Sequence, residues 1–419
     1  MKNIRKNFLT ITLLFITLLL LPACQSSNSA GVQEKSGTNA EIDIPLEQLT
    51  DEENESVNTA IEQSNTSEAE TSEQDEEEPQ TVSLVMVGDV LLHTPVSESG
   101  KLSDGTYNYD HLFAHVRDKI ESADIAIANQ EVILGGTELG LSGYPCFNGA
   151  YEVGDALAAS GFDVILHATN HALDKGEKGV HSCLAFWKEN YPQMQIAGIN
   201  ESGEEQENHI VIIEKNDIRV AILNYTYGTN GILLPSSAPY LVNLLDKDRI
   251  SKDIARAKEQ ADFVVVCPHW GTEYQHQPDK SQHEWTAYFA EQGVNLVLGT
   301  HPHVIEPTEW VEGENGHQML VYYSLGNFVN ATSGTGAGVA DRMLGAMAEV
   351  VLTKQEDGSV EISSYEALPL VSHLESGVQK ITVYPLENYT EELEQKNEIV
   401  LQDSAFSMEY LENVWNDVF

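Results

Sequence analysis

Six short apolar runs in this 419-residue chain lead into residues whose side chains can bind cations or transfer protons. The runs lie within residues 85–87, 125–128, 164–166, 264–266, 296–298 and 322–324. They are followed, in order, by Gly88-Asp89, Asn129-Gln130-Glu131, Thr169-Asn170-His171, His269-Trp270-Gly271, Gly299-Thr300-His301-Pro302-His303 and Gly326-Asn327. Five of the six runs therefore deliver an Asp, a Glu, an Asn-His pair or a His.

These side-chain types are the oxygen and nitrogen ligands that hard and borderline divalent cations prefer. In open α/β sheets, ligands bind outside the carboxyl ends of the strands, so residues from separate strand ends can meet there. Each motif alone has a simpler interpretation, because Gly-Asp after a strand is usually a turn and Asn-His is often an Asx turn. Their joint occurrence in one order favours a metal centre.

Strands that alternate with helix-like segments must position these residues. Strand candidates cover residues 81–87, 124–128, 162–166, 263–267, 294–298 and 319–323, and helices are predicted at 111–121, 175–190, 246–260 and 280–292. This alternation predicts an α/β fold with partly parallel strand pairing. Two predicted hairpins, 210–214 with 218–225 and 347–353 with 360–365, indicate that the sheets are mixed.

Taken together, the motifs resemble those of the CapA family, the poly-γ-glutamate capsule synthesis proteins related to calcineurin-like metallophosphoesterases. The resemblance extends from about residue 82 to about residue 370. It also includes His269-Trp270-Gly271-x-Glu273-Tyr274 and Ser324-Leu325-Gly326-Asn327-Phe328. It implies an α/β (α+β) fold for residues 81–419, a four-layer sandwich in which two mixed β-sheets are flanked by helices.

The resemblance also implies roles for individual residues. Glu131 stands where the acid that bridges two metal ions would fall, and His171 matches the acid–base or phosphate-contacting histidine. Metal ligands are implied at Asp89, Glu131, Asn170, His269, His301 and His303. The expected cofactor is a divalent manganese, zinc or iron ion.

Two departures from the parent metallophosphoesterase pattern fall on one metal position. Leu91 stands where the parent has a histidine, and His93 lies one pleat repeat farther along, so that it could serve only if the chain bends back. Glu131 is one methylene longer than the parent aspartate. Because the other position keeps its amide and two histidines, the resemblance implies one firm metal site and one doubtful site.

Three further residues are candidates for contacts behind the ligands or with substrate: Asp174, Glu273 and Asn327. Asp174 and Glu273 could orient the histidines from behind, as carboxylates do in many metal sites. The alternative is that both are ordinary surface acids.

The N-terminus is typical of a bacterial lipoprotein signal peptide. Three basic residues precede an apolar run over residues 8–21, which is short for a transmembrane span. Leu21-Pro22-Ala23-Cys24 resembles a lipobox. We therefore interpret residues 1–24 as a lipoprotein signal, with lipid on Cys24 and the protein on the outer face of the cell membrane. A plain signal peptide or an uncleaved anchor is the alternative. In that compartment either a Cys146–Cys183 disulfide or free thiols would fit.

Acidic residues dominate the chain. Residues 25–80 contain 16 acids, one base and no aromatic residue. Such a segment cannot bury enough apolar surface to offset its ordering entropy, which predicts a disordered acidic tether. The whole chain has 66 acids against 22 Lys and Arg, a formal charge of −44. This charge argues against nucleic acid as a partner, because nucleic-acid binders present basic surfaces.

Three functions fit this sequence. The leading one is a lipid-anchored, extracytoplasmic, metal-dependent hydrolase-like protein that supports poly-γ-glutamate capsule synthesis. The second is a non-catalytic accessory lipoprotein that binds membrane polymer-synthase subunits or the anionic polymer, and the missing first-strand histidine favours it. The third is a phosphoesterase unrelated to the capsule. The high acidity disfavours unaided binding of a polyanion, although bound divalent cations could reverse this locally.

Overall fold

The computed structural model describes residues 80–313 and 316–419. The predicted signal peptide (1–24), the lipidation site Cys24 and the predicted tether (25–80) lie outside the described residues, apart from Gln80. Within the described ranges, no helix is both long enough and apolar enough to cross a bilayer.

Strands and helices alternate along the described chain. The strands are β1 (Thr81–Val90), β2 (Ile125–Asn129), β3 (Val164–Leu166), β4 (Gln195–Ala197), β5 (Val211–Lys215), β6 (Ile218–Thr226), β7 (Phe263–His269), β8 (Leu296–Leu298), β9 (Ile305–Glu312), β10 (Gln318–Leu325), β11 (Asn327–Val329), β12 (Leu344–Lys354), β13 (Val360–His373) and β14 (Thr382–Pro385). The helices are α1 (Thr94–Ser99), α2 (Arg117–Glu121), α3 (Tyr151–Ala159), α4 (Gly176–Asn190), α5 (Gly203–Asn208), α6 (Lys247–Gln260), α7 (Lys280–Glu291), α8 (Glu391–Lys396) and α9 (Met408–Val418).

The strands form two mixed sheets. The first has the order β14-β13-β12-β1-β2-β3-β4, with β11 against the end of β1, and the second has the order β5-β6-β7-β8-β10-β9. Strands β1 to β4 pair in parallel, as do β6, β7, β8 and β10. The two predicted hairpins pair antiparallel, β5 with β6 and β12 with β13. Each sheet therefore has a parallel centre whose carboxyl ends can carry a site.

Side chains on the central strands alternate between two cores. In β7, Phe263 and Val265 belong to the core shared with the first sheet, whereas Val264 and Val266 pack with residues of α6 and α7. Residues of α3 and α4, such as Leu157 and Val180, join the core of the first sheet. Because strand side chains point alternately to opposite faces, this partition confirms the four-layer order of helix, sheet, sheet and helix.

One predicted helix is wrong. Instead of a continuous helix over residues 111–121, the chain forms a 3-10 turn at Asp110–Leu112 and the short helix α2. Between them Phe113 is fully buried, and its ring stacks on Phe328 at 5.4 Å between centroids. Tertiary packing of this ring interrupts the helical pattern. The cysteines in the described chain are free thiols, so the disulfide alternative is not realised.

Candidate metal centre

The carboxyl ends of strands from both sheets meet at one buried site. Asp89 lies near the end of β1, and Glu131 follows the end of β2 by two residues. His269 is the last residue of β7, and its Nδ1 lies 3.8 Å from an Asp89 oxygen. His301 and His303 lie in the loop between β8 and β9. All five side chains are buried.

Glu131 lies at the centre of this site. Its carboxylate oxygens are buried, and neither has a hydrogen-bond partner within the described chain. One oxygen lies 3.6 Å from His303 Nε2, 3.8 Å from His269 Nε2 and 4.0 Å from His171 Nε2. Two donors that each sit about 2.1 Å from one tetrahedral ion are roughly 3.4 Å apart. The spacing therefore fits a shared cation better than direct hydrogen bonds.

Two donor groups share Glu131. One combines it with His269 and His301, and the other combines it with Asp89 and His303; in each group the ligand atoms lie within 4.8 Å of one another. Asn170 Oδ1 lies 3.1 Å from His269 Nε2, on the side of the first group. These residues fit two neighbouring divalent cations with Glu131 between them. That they bind metal stays a prediction.

Neighbouring residues fix the histidine rings. His269 Nδ1 lies 3.0 Å from the Thr300 hydroxyl. His303 Nδ1 lies 3.1 Å from both an Asp89 oxygen and Asn327 Oδ1. Asn327 also donates through Nδ2 to the carbonyl oxygen of His303. Asn327 thus contacts both the ring and the backbone of His303; its role in the site stays a prediction.

The backbone around the ligands is strained and close-packed. His301 and His303 have φ values of 102° and 60°, in the left-handed region that costs a non-glycine residue about 1–3 kcal/mol. A Cβ at Gly88 would lie 2.0 Å from the Gly326 carbonyl oxygen, and one at Gly299 would lie 2.0 Å from that of Tyr323. The glycines that precede Asp89 and the His-Pro-His motif are therefore required by the approach of neighbouring strands.

His171 forms a dyad with Asp174. Its Nδ1 lies 2.7 Å from Asp174 Oδ2, which also accepts a hydrogen bond from the backbone N–H of Phe147 at 2.6 Å. The Phe147 ring meets the imidazole edge to face at 4.6 Å. Because Nδ1–H is held by the carboxylate, Nε2 faces Glu131 and the pocket. Asp174 is buried, so it orients His171 and is not a surface acid.

Burial and mutual proximity shift the titration of the ligands. Burial raises the pKa of Glu131 well above its ordinary range, and it lowers the pKa of His269 and His301 well below theirs. Burial also opposes charge on His303, but Glu131 and Asp89 outweigh it and raise its pKa to about 9. Neutral imidazoles are the form that binds metal, so His269 and His301 are ready ligands at neutral pH.

The first strand offers no further ligand at the position of the missing histidine. Leu91 is buried, and its backbone N–H donates to the carbonyl of Val329. His93 belongs to neither donor group around Glu131. Its ring packs on Phe147 at 5.4 Å, and burial, followed by the proximity of His303 and His171, lowers its pKa to about 4. His93 therefore lies at the rim of the site.

Several rim residues were not found from the sequence. Asn230 Nδ2 lies 3.4 Å from the ring of His171, and Tyr227 packs on His301 at 4.7 Å between ring centroids. Both follow β6, a predicted hairpin strand that is not followed by an Asp, a Glu or a His. The Arg342 guanidinium lies 3.7 Å from the ring centroid of Tyr274. No motif pointed to Arg342, which comes to the site through a 3-10 turn before β12.

Fold and site together define an α/β protein with a buried donor set compatible with two metal ions. The model of the bacterial capsule synthesis protein family PGA_cap matches residues 83–332. The chain therefore belongs to this capsule synthesis family, and the resemblance inferred from the motifs is confirmed.

Two curated relatives carry related names. The chain is 29% identical over 267 residues to the capsule biosynthesis protein CapA of Bacillus anthracis, covering 60% of each chain. It is 33% identical over 170 residues to the PGA biosynthesis protein CapA of Bacillus subtilis, covering 40% of this chain and 42% of that one. The match thus spans less than two thirds of the length of these relatives.

Solved structures with a similar fold are phosphoesterases. A 5'-nucleotidase precursor from Thermus thermophilus shares 15% identity with a TM-score of 0.44, over 70% of this chain and 54% of that one. The calcineurin-like phosphoesterase YfkN from Bacillus subtilis shares 14% identity with a TM-score of 0.43, over 80% of this chain and 99% of that one. Likeness at this level carries no argument about activity.

Proposed function

We propose that this protein is a metal-dependent hydrolase of extracellular capsule synthesis, with poly-γ-glutamate or a precursor of that polymer as its substrate class. One observation carries the proposal. The unpartnered, fully buried carboxylate of Glu131 lies within 3.6–4.0 Å of three histidine nitrogens, one of which belongs to the His171–Asp174 dyad. A purely structural core would not keep such a carboxylate without partners.

The ligand residues and the dyad have separate tasks in this proposal. The two donor groups around Glu131 would hold divalent cations, which when bound polarise a phosphoryl or carbonyl oxygen and generate a nucleophile at neutral pH. Asp174 keeps His171 in one tautomer, with Nε2 toward the pocket. When both of its ring nitrogens are protonated, His171 would donate the Nε2 proton to the leaving oxygen or nitrogen as the bond breaks. Phe147 covers the dyad and limits the access of water.

Electrostatics constrain how an anionic substrate could bind. Residues 81–419 hold 50 acids against 18 Lys and Arg, so the folded part repels a polyanion at long range. Close to the site, the Arg342 guanidinium stacks on Tyr274, whose ring lies 6.0 Å from that of His303. Metal cations together with Arg342 would give the pocket mouth a local positive potential. A carboxylate or phosphate group could then bind there despite the charge of the whole chain.

The second candidate function is an accessory role without catalysis. It is favoured by Leu91, which places an apolar side chain where the parent enzymes have a metal ligand. In this version the protein would hold the polymer through bound cations, or bind subunits of a membrane synthase. Loss of one metal position would leave such a binding role intact, whereas hydrolysis by two metal ions would suffer.

The proposed place of action is the outer face of the cell membrane. The lipobox that ends at Cys24 supports it, together with the family relationship to capsule synthesis proteins. Mass spectrometry of membrane-extracted protein should find a lipid-modified Cys24 as the first residue. An unmodified N-terminus at another residue would contradict anchoring.

His171→Ala separates hydrolysis from binding. Since His171 faces Glu131 at 4.0 Å and belongs to neither Glu131-containing donor group, the variant should keep its metal content. Loss of an acid–base group typically lowers the rate by about 10²- to 10⁴-fold. The full-length purified protein is assayed with Mn²⁺ or Zn²⁺ against a chromogenic phosphoester and against γ-glutamyl oligomers.

The matched control is His181→Ala, because His181 is a more exposed histidine on α4. It should retain wild-type rates. If wild type and His171→Ala are equally inert and both support polymer formation in cells, the accessory function replaces the enzymatic one.

A further inference from the structure

The donor group of Asp89, Glu131 and His303 has three side-chain ligands, and the strand that carries Asp89 adds none. We propose that Glu273, in the loop after β7, is the metal ligand that takes the place of the missing first-strand histidine. The inference rests on the metal centre of the proposed function. It adds a ligand from a different element, on the open side of the site.

Glu273 is exposed but close to the donor set. One of its carboxylate oxygens lies within 4.8 Å of a ring nitrogen of His301 and of His303, and these three residues form a donor group of their own, without Asp89 or Glu131. Of the two histidines, His303 belongs to the donor group that has only three side-chain ligands. A carboxylate that reaches two buried histidines from solvent can close a coordination shell that the buried residues leave incomplete.

The loop that carries Glu273 is fastened along the His-Pro-His segment. Trp270 donates its backbone N–H to the Thr300 carbonyl at 3.0 Å, and Tyr274 donates to the Pro302 carbonyl at 2.7 Å. Farther on, His276 Nδ1 lies 2.9 Å from the Ile305 carbonyl oxygen. Residues 270–276 therefore follow residues 300–305 side by side. These contacts fix the backbone of the loop so that Glu273 lies beside His301 and His303.

The backbone after Glu273 is held in a costly conformation. Tyr274 has φ of 64°, a left-handed value that costs a non-glycine residue about 1–3 kcal/mol. The hydrogen bond to Pro302 and the Arg342 guanidinium 3.7 Å from the Tyr274 ring centroid offset that cost. Strain of this kind persists where the surroundings determine the conformation, often at functional sites. Here it turns the chain so that Glu273 points back to the histidines.

With Glu273 as a ligand in place of the first-strand histidine, the two metal positions would be chemically different. With Glu273, one position has three carboxylates and His303, whereas the other has Glu131, an amide oxygen and two imidazoles. Coordination shells rich in carboxylates favour harder cations such as Mn²⁺. Coordination shells rich in imidazoles favour Zn²⁺. We therefore expect the position completed by Glu273 to prefer Mn²⁺ over Zn²⁺.

Metal titration tests this assignment without an activity assay. Full-length protein is stripped with a chelator, and Mn²⁺ and Zn²⁺ binding is measured by calorimetry and elemental analysis. Glu273→Gln should lower the affinity for the second Mn²⁺ ion by about 100-fold or more. Loss of a residue that only hydrogen-bonds to a metal ligand typically lowers metal affinity by about 10- to 100-fold. The first ion should bind as in wild type. Glu312→Gln, which alters an exposed glutamate on β9, serves as the matched control and should bind both ions normally.

A rescue variant sharpens the test. Leu91→His in the Glu273→Gln background restores the histidine of the parent pattern and should recover the second ion, with a preference moved toward Zn²⁺. Two ions with wild-type affinities in Glu273→Gln would overturn the role of Glu273 alone and leave the metal centre standing. A wild-type protein that binds no ion would overturn the metal centre itself. If the wild-type protein binds only one ion, Glu273 does not complete a second metal position and the proposal is overturned.

Discussion

Two buried carboxylates in this protein, Glu131 and Glu306, have similar burial but different surroundings. Both are fully buried, and both keep at least one oxygen without a hydrogen-bond partner in the described chain. Burial raises the pKa of each. Glu131 is surrounded by imidazole nitrogens at 3.6–4.0 Å, whereas Glu306 accepts one hydrogen bond, from Gln282 Nε2 at 2.5 Å.

This difference in surroundings indicates that Glu131, and not Glu306, is placed to bind a cation. A buried carboxylate costs free energy unless it is paired, bound to a cation or protonated. Around Glu131 the neighbours are donors to a cation, and they come from strand ends of both sheets. Around Glu306 the neighbour is one amide that also caps α7 with Asp279. Protonation lowers the free-energy cost of burying Glu306, and a bound cation would lower the cost of burying Glu131.

The largest expected effect is that of Glu131→Gln. Because both donor groups share this carboxylate, the variant should lose both ions and hydrolysis with them. In the metal-free state its stability should be close to that of wild type, because burial raises the pKa of Glu131 and so already opposes the charge that the substitution removes. Metal at about 100 times its dissociation constant stabilises a protein by about 2.7 kcal/mol per site, and that gain should be absent. Thermal unfolding with and without chelator, together with elemental analysis, measures both.

His269→Ala is the comparison for that variant. His269 belongs to one donor group only, so we expect one ion to remain. Hydrolysis should still be lost, because the remaining position lacks its partner. Equal metal content in wild type and Glu131→Gln would contradict the central place given to Glu131.

A smaller effect is expected for Asp174→Asn. The amide can no longer hold Nδ1–H of His171 as an ionised acceptor does, so the ring loses its fixed tautomer. We expect kcat to fall by less than the about 10²- to 10⁴-fold of full acid–base removal, with KM and metal content unchanged. The pH profile of kcat should shift, which a purely structural defect would not cause. A loss of metal in this variant would instead place Asp174 among the supports of the ligands.

Much of the fold was readable from local sequence patterns. Apolar runs of strand length, alternating with amphipathic segments, located the central strands of both sheets and three of the nine helices of the described chain, from four helices predicted. These patterns worked because burial on both faces of a central strand demands a continuous apolar run. The helix at 111–121 failed because the packing of Phe113 against Phe328 is a contact between distant parts of the chain. No local pattern carries that information.

The site was predictable where ligands directly follow strands. The carboxyl ends of parallel strands bring distant residues together by topology alone, so Asp89, Glu131 and His269 could be grouped before their distances were known. The rim could not be grouped in this way. Arg342 reaches Tyr274 through a turn. Glu273 was a candidate from its motif, but the loop that brings it to His303 follows a course that depends on left-handed residues. Such paths follow from tertiary hydrogen bonds and leave little trace in sequence.

The smallest effect concerns Glu306 and sharpens the contrast with Glu131. Burial, with Asp279 nearby, raises the pKa of Glu306 to about 8 although the Gln282 hydrogen bond opposes this, against an ordinary value of 4.5. Between these two pH values the folded protein holds a proton that the unfolded chain has released. The stability contributed by Glu306 is therefore complete below about pH 4.5 and is lost as pH rises through about 8, at no more than about 1.4 kcal/mol per pH unit.

The variant Glu306→Gln has no such proton. In chelator, its free energy of unfolding relative to wild type should rise from pH 5 to pH 8 and level off above. Added metal should leave this difference unchanged, because Glu306 lies in none of the donor groups of the described chain. A difference that is flat with pH would mean that Glu306 is ionised in the folded protein. A difference that disappears with metal would mean that it responds to the same centre as Glu131.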